Sequence, residues 1–232
     1  MTSALQAIVF DFDGVIADSE PLHLKAFQRA LAEEGMTLGE DEYFNRYLGY
    51  DDVGVFEAIA RDRGLAWTAR HVTDRVARKG MKLQELISGG EVLFPGAPAF
   101  IRAAAAEVPV AIASGALRHE IVQILESAAL DELFATIVAS GDTPASKPSP
   151  APYLLAFERL QKRAAKQLDP QRCVAIEDSL WGLESARQAG LRCVGVTTSY
   201  NAAELPGAEL VVEGLHALTL PMLDALVRNG HL

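Results

Sequence analysis

Cysteine, basic side chains and long apolar stretches are all scarce in this sequence. The 232 residues include two cysteines, Cys173 and Cys193, which are too few for a disulfide scaffold and do not have zinc-site spacing. Lysine and arginine total 21 against 31 acidic residues, a net charge of −10, which argues against nucleic acid as the main partner. The early apolar run at 7–10 is too short for a signal peptide or membrane span. We therefore expect a cytoplasmic protein with no membrane partner.

Short apolar runs alternate with longer amphipathic stretches along most of the chain. Runs that are apolar nearly throughout are typical of strands covered on both faces. Their alternation with helical patterns predicts the α/β class: a Rossmann-like parallel sheet with helices on both faces. The predicted strands are 7–11, 109–114, 136–139, 172–177, 192–196 and 210–212, and the predicted helices are 97–107, 117–128, 151–166, 179–189 and 216–228.

The alternation is interrupted between about Glu20 and Gly89. Apolar residues recur there at helical spacing, and no strand pattern is present. This predicts an all-helical domain inserted directly after the first strand. We assign residues 1–16 and 91–232 to an α/β core domain and residues 17–90 to the helical insert, joined by two glycine-containing crossings that are typical of a hinged module.

Acidic pairs follow two of the predicted strands. Asp11 and Asp13 come at the end of the first strand, and Glu177 and Asp178 come at the end of the fourth. Ligands of parallel sheets bind beyond the carboxyl ends of the strands, so these pairs converge on one edge. A buried carboxylate requires a compensating cation, and Mg²⁺ is one that prefers carboxylates, water and phosphate oxygens. A solvated turn for the first pair and helix capping for the second are the alternative interpretations.

Two further groups at this edge are suited to bind an anion. Lys147 lies between the third and fourth strands and precedes Pro148, which restricts the backbone. Ser114 and Gly115 follow the second strand and open the next helix, where a hydroxyl and backbone N–H groups make an anion cradle. A solvated lysine and an ordinary helix cap are the alternatives.

The order of these motifs resembles the haloacid dehalogenase superfamily over essentially the whole chain. Asp-x-Asp-Gly after the first strand, Ser-Gly after the second, then Lys-Pro and Glu-Asp-Ser follow that family's order, and the helical insert matches its cap domain. The run from Asp11 to Pro21 resembles the branch that contains β-phosphoglucomutase and many small phosphatases.

The resemblance implies a role for each core residue. Asp11 would be the nucleophile that forms an aspartyl-phosphate, and Asp13 would be the general acid and then the general base. Mg²⁺ would be held by Asp11, the backbone carbonyl of Asp13 and Asp178, with Glu177 nearby.

The phosphoryl oxygens would be held by the second set of groups, Lys147 and Ser114 with the adjacent Gly115. The dehalogenases and phosphonate-cleaving members lack the second aspartate, so Asp13 favours phosphate monoesters.

The helical insert would act as a lid that contacts the leaving group. His23 and Lys79 stand where the mutase branch carries a histidine and a lysine, with a surface histidine and a solvated lysine as alternatives. After Gly49 that branch carries an arginine for a second phosphate, whereas this chain has Tyr50-Asp51-Asp52.

We therefore expect a phosphatase acting on a small phosphorylated metabolite, such as a sugar phosphate, as a monomer or small homo-oligomer. A β-phosphoglucomutase-like mutase is the second interpretation. A receiver-type phospho-acceptor and a non-catalytic binding module are more distant ones.

Overall fold

A six-stranded parallel sheet forms the centre of the larger part of the molecule. The computed structural model describes residues 4–48, 50–88 and 92–229. The strands run in the order β3-β2-β1-β4-β5-β6, so the first strand of the chain lies between β2 and β4. The predicted α/β parallel architecture is thereby confirmed. The strands are β1 (Ala7–Phe10), β2 (Val110–Ala113), β3 (Phe134–Val138), β4 (Cys173–Glu177), β5 (Arg192–Val196) and β6 (Leu210–Val212).

Nine α-helices are present among the described residues. Five of them, α1 to α5, lie between β1 and β2, and the other four alternate with the remaining strands or follow the last one. The helices are α1 (Glu20–Ala32), α2 (Glu40–Arg46), α3 (Asp52–Asp62), α4 (Ala69–Ser88), α5 (Ala97–Glu107), α6 (Arg118–Ser127), α7 (Ala151–Arg163), α8 (Leu180–Gln188) and α9 (Leu220–Asn229).

The central strand is covered on both faces, which explains why it is apolar at every position. Successive side chains of a strand point to opposite faces. Val9 belongs to a core cluster that includes Tyr153 of α7 and Leu183 of α8. Its neighbour Phe10 makes an edge-on contact with Phe100 of α5, with ring centroids 6.1 Å apart. Burial on both faces fixes β1 firmly, so the residue that follows it is held in one place.

The chain divides into two compact units. One comprises Met1–Asp18 and Leu93–Leu232, and the other comprises Ser19–Val92. The boundaries predicted from the sequence fell after residues 16 and 90, and residues 89–91 lie outside the described part of the chain.

The smaller unit contains α1 to α4 and has its own hydrophobic core. Phe27 packs against Tyr43 and Phe56, with ring centroids 5.7 and 5.2 Å apart. The described residues of this unit contain no strand, in agreement with the helical spacing of its apolar residues.

Two predicted helix limits were wrong. The last helix starts at Leu220 and not at His216, because Leu215–Ala217 form a separate 3₁₀ turn and Pro221 supplies the preferred start of the helix. Helix α7 ends at Arg163 and not at residue 166, where the side chain of Gln161 accepts a hydrogen bond from the backbone N–H of Leu168 at 2.7 Å.

Candidate active site

Three neighbouring strands deliver the predicted site residues to one edge of the sheet. Asp11 follows β1 directly, and its backbone N–H donates to the carbonyl of Ile176 at 2.9 Å. Ser114 follows β2, and Asp178 follows the last residue of β4, Glu177. Because all three strands are parallel and adjacent, their carboxyl ends meet at the same edge.

Three buried carboxylates form a compact group at this edge. One oxygen from each of Asp11, Glu177 and Asp178 lies within 4.8 Å of the others. Lys147 supplies the neighbouring cation: its Nζ lies 2.7 Å from Asp11 Oδ1 and 2.5 Å from Glu177 Oε1. The structure therefore brings together four charged groups that come from two strand ends and one loop.

Glu177 is fully buried and held by several donors. The Tyr153 hydroxyl donates to Oε1 at 2.8 Å, and the Ser179 hydroxyl donates to Oε2 at 3.0 Å. Ser179 also caps helix α8, accepting a hydrogen bond from the N–H of Gly182 at 3.1 Å. A Cβ atom at Gly182 would lie 1.9 Å from Oε1, so a glycine is required there. Glu177 is thus fixed by its hydrogen bonds and by the helix packed against it.

Asp178 is held by a different loop. The Ser199 hydroxyl donates a hydrogen bond to its Oδ2 atom. A Cβ atom at Gly14 would lie 1.9 Å from the same oxygen, and Gly14 has a φ of 77° that favours glycine. The neighbouring Thr198 hydroxyl donates to the carbonyl of Gly14. The loop after β5 therefore contacts both the segment that follows Asp11 and the carboxylate of Asp178.

The electrostatics of the group favour an added cation. Burial, reinforced by the charge of Glu177, raises the pKa of Asp11 well above its usual range. Burial also raises the pKa of Asp178 to about 6, although the Ser199 hydrogen bond acts in the opposite direction. Burial alone would lower the pKa of Lys147, but the carboxylates of Asp11 and Glu177 outweigh it and raise that pKa.

The donor set fits a hard divalent cation. Three ionised carboxylates and one ammonium leave two uncompensated negative charges, and oxygen ligands of this kind suit Mg²⁺. Asp11 Oδ1 is buried beside the Lys147 ammonium, 2.7 Å away. A buried carboxylate that shares one ammonium with a second carboxylate, and lies beside a third, is suited to bind a divalent cation.

The remaining predicted residues of the core domain are Asp13, Ser114 and Gly115. Asp13 is half-buried in the turn after β1 and forms a bridge with Ala17. Ser114 is buried, and its hydroxyl accepts a hydrogen bond from the N–H of Ala116 at 3.0 Å. The expectation that Ser114 and Gly115 open a helix was wrong, because α6 begins at Arg118 with Leu117 as its N-cap. The Ser114 hydroxyl instead closes a local turn, so an anion bound there would meet turn amides rather than a helix end.

The two residues predicted in the helical unit lie together. Lys79 of α4 is fully buried, and its Nζ is 2.9 Å from His23 Nδ1 of α1 and 2.7 Å from Asp52 Oδ1 of α3. The ammonium also lies 4.7 Å from the centre of the Phe27 ring. Burial, together with the charge of Lys79, lowers the pKa of His23 to about 4. A solvated lysine, one of the alternatives, is not what the structure shows.

Comparison with known proteins is consistent with this geometry. The haloacid dehalogenase-like hydrolase family matches residues 5–190. The chain belongs to this family. It is 32% identical over 208 residues to Protein CbbY of Rhodobacter capsulatus, covering 86% of this chain and 88% of the relative.

Two other relatives of this haloacid dehalogenase-like hydrolase are informative. A phosphorylated carbohydrates phosphatase of Thermotoga maritima is 28% identical over 94% of this chain and 95% of its own. The crystal structure of a putative β-phosphoglucomutase from the same organism has a TM-score of 0.75 and 26% identity, covering 97% of this chain and 100% of that one. The resemblance stated from the motifs is thereby confirmed at the level of the family.

Sequence reasoning missed several contacts of this hydrolase site. Tyr153, Thr198 and Ser199 lie outside the recognised motifs, and each reaches the site only through the tertiary fold. Ser199 carries a weak signal, because it follows a predicted buried strand at the edge where ligands bind. No helix of the described residues is long and apolar enough to span a membrane.

Proposed function

We propose that this protein is a Mg²⁺-dependent phosphatase that hydrolyses a small phosphate monoester through an aspartyl-phosphate. The observation that carries the proposal is the group of three buried carboxylates, Asp11, Glu177 and Asp178, with Lys147 ion-paired to the first two. In this proposal, the unit that carries Asp11 is catalytic, and the helical unit of residues 19–92 contributes to substrate recognition. The names of the relatives support a sugar phosphate or a similar metabolite as the substrate.

The first step transfers the phosphoryl group to the protein. A carboxylate oxygen of Asp11 forms a bond to phosphorus, and the bond from phosphorus to the leaving alcohol breaks. Asp13 donates its proton to the departing oxygen. Lys147, fixed between Asp11 and Glu177, stabilises the phosphoryl oxygens, with Ser114 as a further donor.

The second step releases phosphate. Asp13, now ionised, takes a proton from a water molecule whose oxygen bonds to phosphorus, and the Asp11 carboxylate is regenerated. Asp11, Glu177 and Asp178, with the backbone carbonyl of Asp13, would hold Mg²⁺, which offsets the repulsion between the nucleophile and an anionic substrate.

A phosphosugar mutase is the second candidate, favoured by the likeness to a putative β-phosphoglucomutase. A bisphosphate-dependent mutase needs a cationic partner for its distal phosphate. Here Lys79 is already ion-paired with Asp52, and Tyr50-Asp51-Asp52 stand in place of the mutase branch's arginine. This arrangement supports hydrolysis over transfer.

The test measures phosphate release from p-nitrophenyl phosphate and from a panel of phosphorylated metabolites, with Mg²⁺ and with EDTA. We expect EDTA to abolish release and Asp11→Asn to reduce it by about a thousandfold or more, since the nucleophile is lost. Activity that survives in EDTA would exclude the metal, and activity retained in Asp11→Asn would exclude the aspartyl-phosphate. Transfer to a sugar phosphate acceptor that exceeds release to water would favour the mutase.

A further inference from the structure

The loop that follows β5 contacts the candidate metal site from outside the recognised motifs. Two of its hydroxyl residues, Thr198 and Ser199, donate to the carbonyl of Gly14 and to Asp178 Oδ2 respectively. Strand β5 pairs with β4, and β4 pairs with β1, so this loop emerges at the same sheet edge as Asp11 and Asp178. The loop therefore links the segment after the nucleophile to an acid that lies far from it in sequence.

The packing around Asp178 leaves its carboxylate little freedom to rotate. Asp178 is only 7% exposed, and the space above Oδ2 is filled by the backbone of Gly14. A Cβ atom built on Gly14 would also lie 3.0 Å from the Ser199 hydroxyl oxygen. Asp178, Gly14 and Ser199 therefore meet at one point. A hydroxyl that donates to one carboxylate oxygen fixes the plane of the group and directs the other oxygen.

We infer that Ser199 is a positioning residue for the cation site, acting through Asp178. The inference rests on the proposed Mg²⁺ dependence and adds a residue outside the motif set. Its hydroxyl fixes Oδ2 and leaves Oδ1 of Asp178 available to the cation. Groups that orient metal ligands typically contribute tenfold to hundredfold to metal affinity.

The experiment measures Mg²⁺ binding to the substrate-free protein by isothermal titration calorimetry. Ser199→Ala is expected to weaken Mg²⁺ affinity by about tenfold or more, and Ser199→Thr, which retains the hydroxyl, is expected to restore most of it. The control is Ser127→Ala, which also removes a serine hydroxyl and should leave Mg²⁺ affinity unchanged. The Ser127 hydroxyl donates to the carbonyl of Ile124 at 2.7 Å in the remote helix α6.

The Mg²⁺ dependence of phosphate release gives an independent measure of how Ser199 affects Mg²⁺ affinity. Phosphate release by Ser199→Ala should require a higher Mg²⁺ concentration for half-maximal rate, and the rate should recover at saturating Mg²⁺. If Ser199→Ala does not fold, Ser199→Cys replaces it, because a thiol keeps the volume but donates weakly, and it should weaken Mg²⁺ affinity in the same direction.

Two results would overturn the inference, and they are distinguishable. Wild-type Mg²⁺ affinity in a folded Ser199→Ala or Ser199→Cys protein would remove the positioning role and leave the proposed function intact. A wild-type protein that binds no Mg²⁺ and hydrolyses no phosphate monoester would remove both.

Discussion

Glu177 is the residue on which most of the site's internal contacts converge. Its carboxylate accepts hydrogen bonds from Lys147, Tyr153 and Ser179, and it is completely buried. Burying this charge is tolerated because both carboxylate oxygens accept hydrogen bonds. The consequence is that Lys147 cannot rotate away from Asp11, since its other partner is fixed. The geometry around the proposed nucleophile, Asp11, therefore depends on Glu177, which fixes Lys147 beside it.

Among the single residues of the site, Asp13 has the proposed role, general acid and base, that can be tested most directly. Asp13→Ala should lower steady-state turnover of p-nitrophenyl phosphate by about a hundredfold to ten-thousandfold, because the water that releases phosphate loses its base. Nitrophenolate leaves without a proton, so phosphate should still accumulate on Asp11. Mass spectrometry of the acid-quenched protein would detect the added phosphoryl group.

The control for this variant is Asp18→Ala, which removes an exposed aspartate from the same segment. It should turn over at the wild-type rate with no trapped phosphate. Wild-type turnover in Asp13→Ala would contradict the assigned role.

At the scale of elements, most strands and helices could be predicted because their apolar patterns are local. Strands β5 and β6 and helix α5 agree with the prediction at both ends. Strand β3 begins at Phe134, two residues earlier than predicted, because a short 3₁₀ turn at Asp131–Leu133 leads directly into it. The end of α7 and the start of α9 were wrong because side-chain caps and turns, which periodicity does not report, determine them.

The candidate site was predictable to the extent that it follows strand ends. Asp11, Glu177 and Asp178 could be placed at one edge because they follow strands that were predicted to be parallel. The contacts of Tyr153 and Ser199 could not, because they depend on how a helix and a loop pack after the sheet has formed. The Lys79–Asp52 pair was missed for the same reason, since three different helices supply its environment.

Helix α8 provides a test of how closely an element packs on the site. Gly182→Ala should destabilise the protein by several kcal/mol, roughly 3 or more, because its Cβ would overlap the fixed carboxylate of Glu177. Chemical denaturation of the two proteins measures the difference in the free energy of unfolding.

A matched glycine in another helix gives the opposite expectation. Gly80 lies in α4, is exposed, and would have no atom within 4 Å of an added Cβ. Gly80→Ala should therefore stabilise the protein by about 0.5–1 kcal/mol, through its higher helix propensity. Equal effects of the two substitutions would refute the close packing of α8 against Glu177.

On the scale of the whole molecule, the excess of acidic groups makes stability depend on pH and on cations. The chain carries a formal charge of −10, and its most deeply buried acids lie together. The pKa of Asp178 rises from an ordinary 3.8 to about 6 in the fold. A carboxyl whose pKa is raised by folding contributes stability below its unfolded pKa and loses that contribution as pH rises through the folded pKa.

Asp178→Asn isolates this effect, because asparagine keeps the shape without the charge. Without metal, the variant and wild type should be about equally stable near pH 4. Above about pH 6 the variant should be more stable by up to about 3 kcal/mol, the equivalent of the pKa difference from 3.8 to about 6. Thermal or denaturant unfolding in EDTA across this range measures it.

Addition of Mg²⁺ should reverse the order at neutral pH. Wild type should gain stability from binding, whereas Asp178→Asn should gain much less. A stability difference in EDTA that does not change with pH would show that Asp178 titrates normally in the fold.

The position of β1 has a consequence for synthesis. Ile8 pairs with Val110 on one side and with Val174 on the other, so the strand made early in translation lies in the middle of the finished sheet. On the ribosome, one edge of this strand has no partner until β2 has emerged, and the other edge has none until β4 has emerged. A nascent chain that stalls before residue 173 carries an apolar strand with an open edge, which is prone to aggregation. The central part of the sheet is therefore completed only after the segment that carries Glu177 and Asp178 has been made.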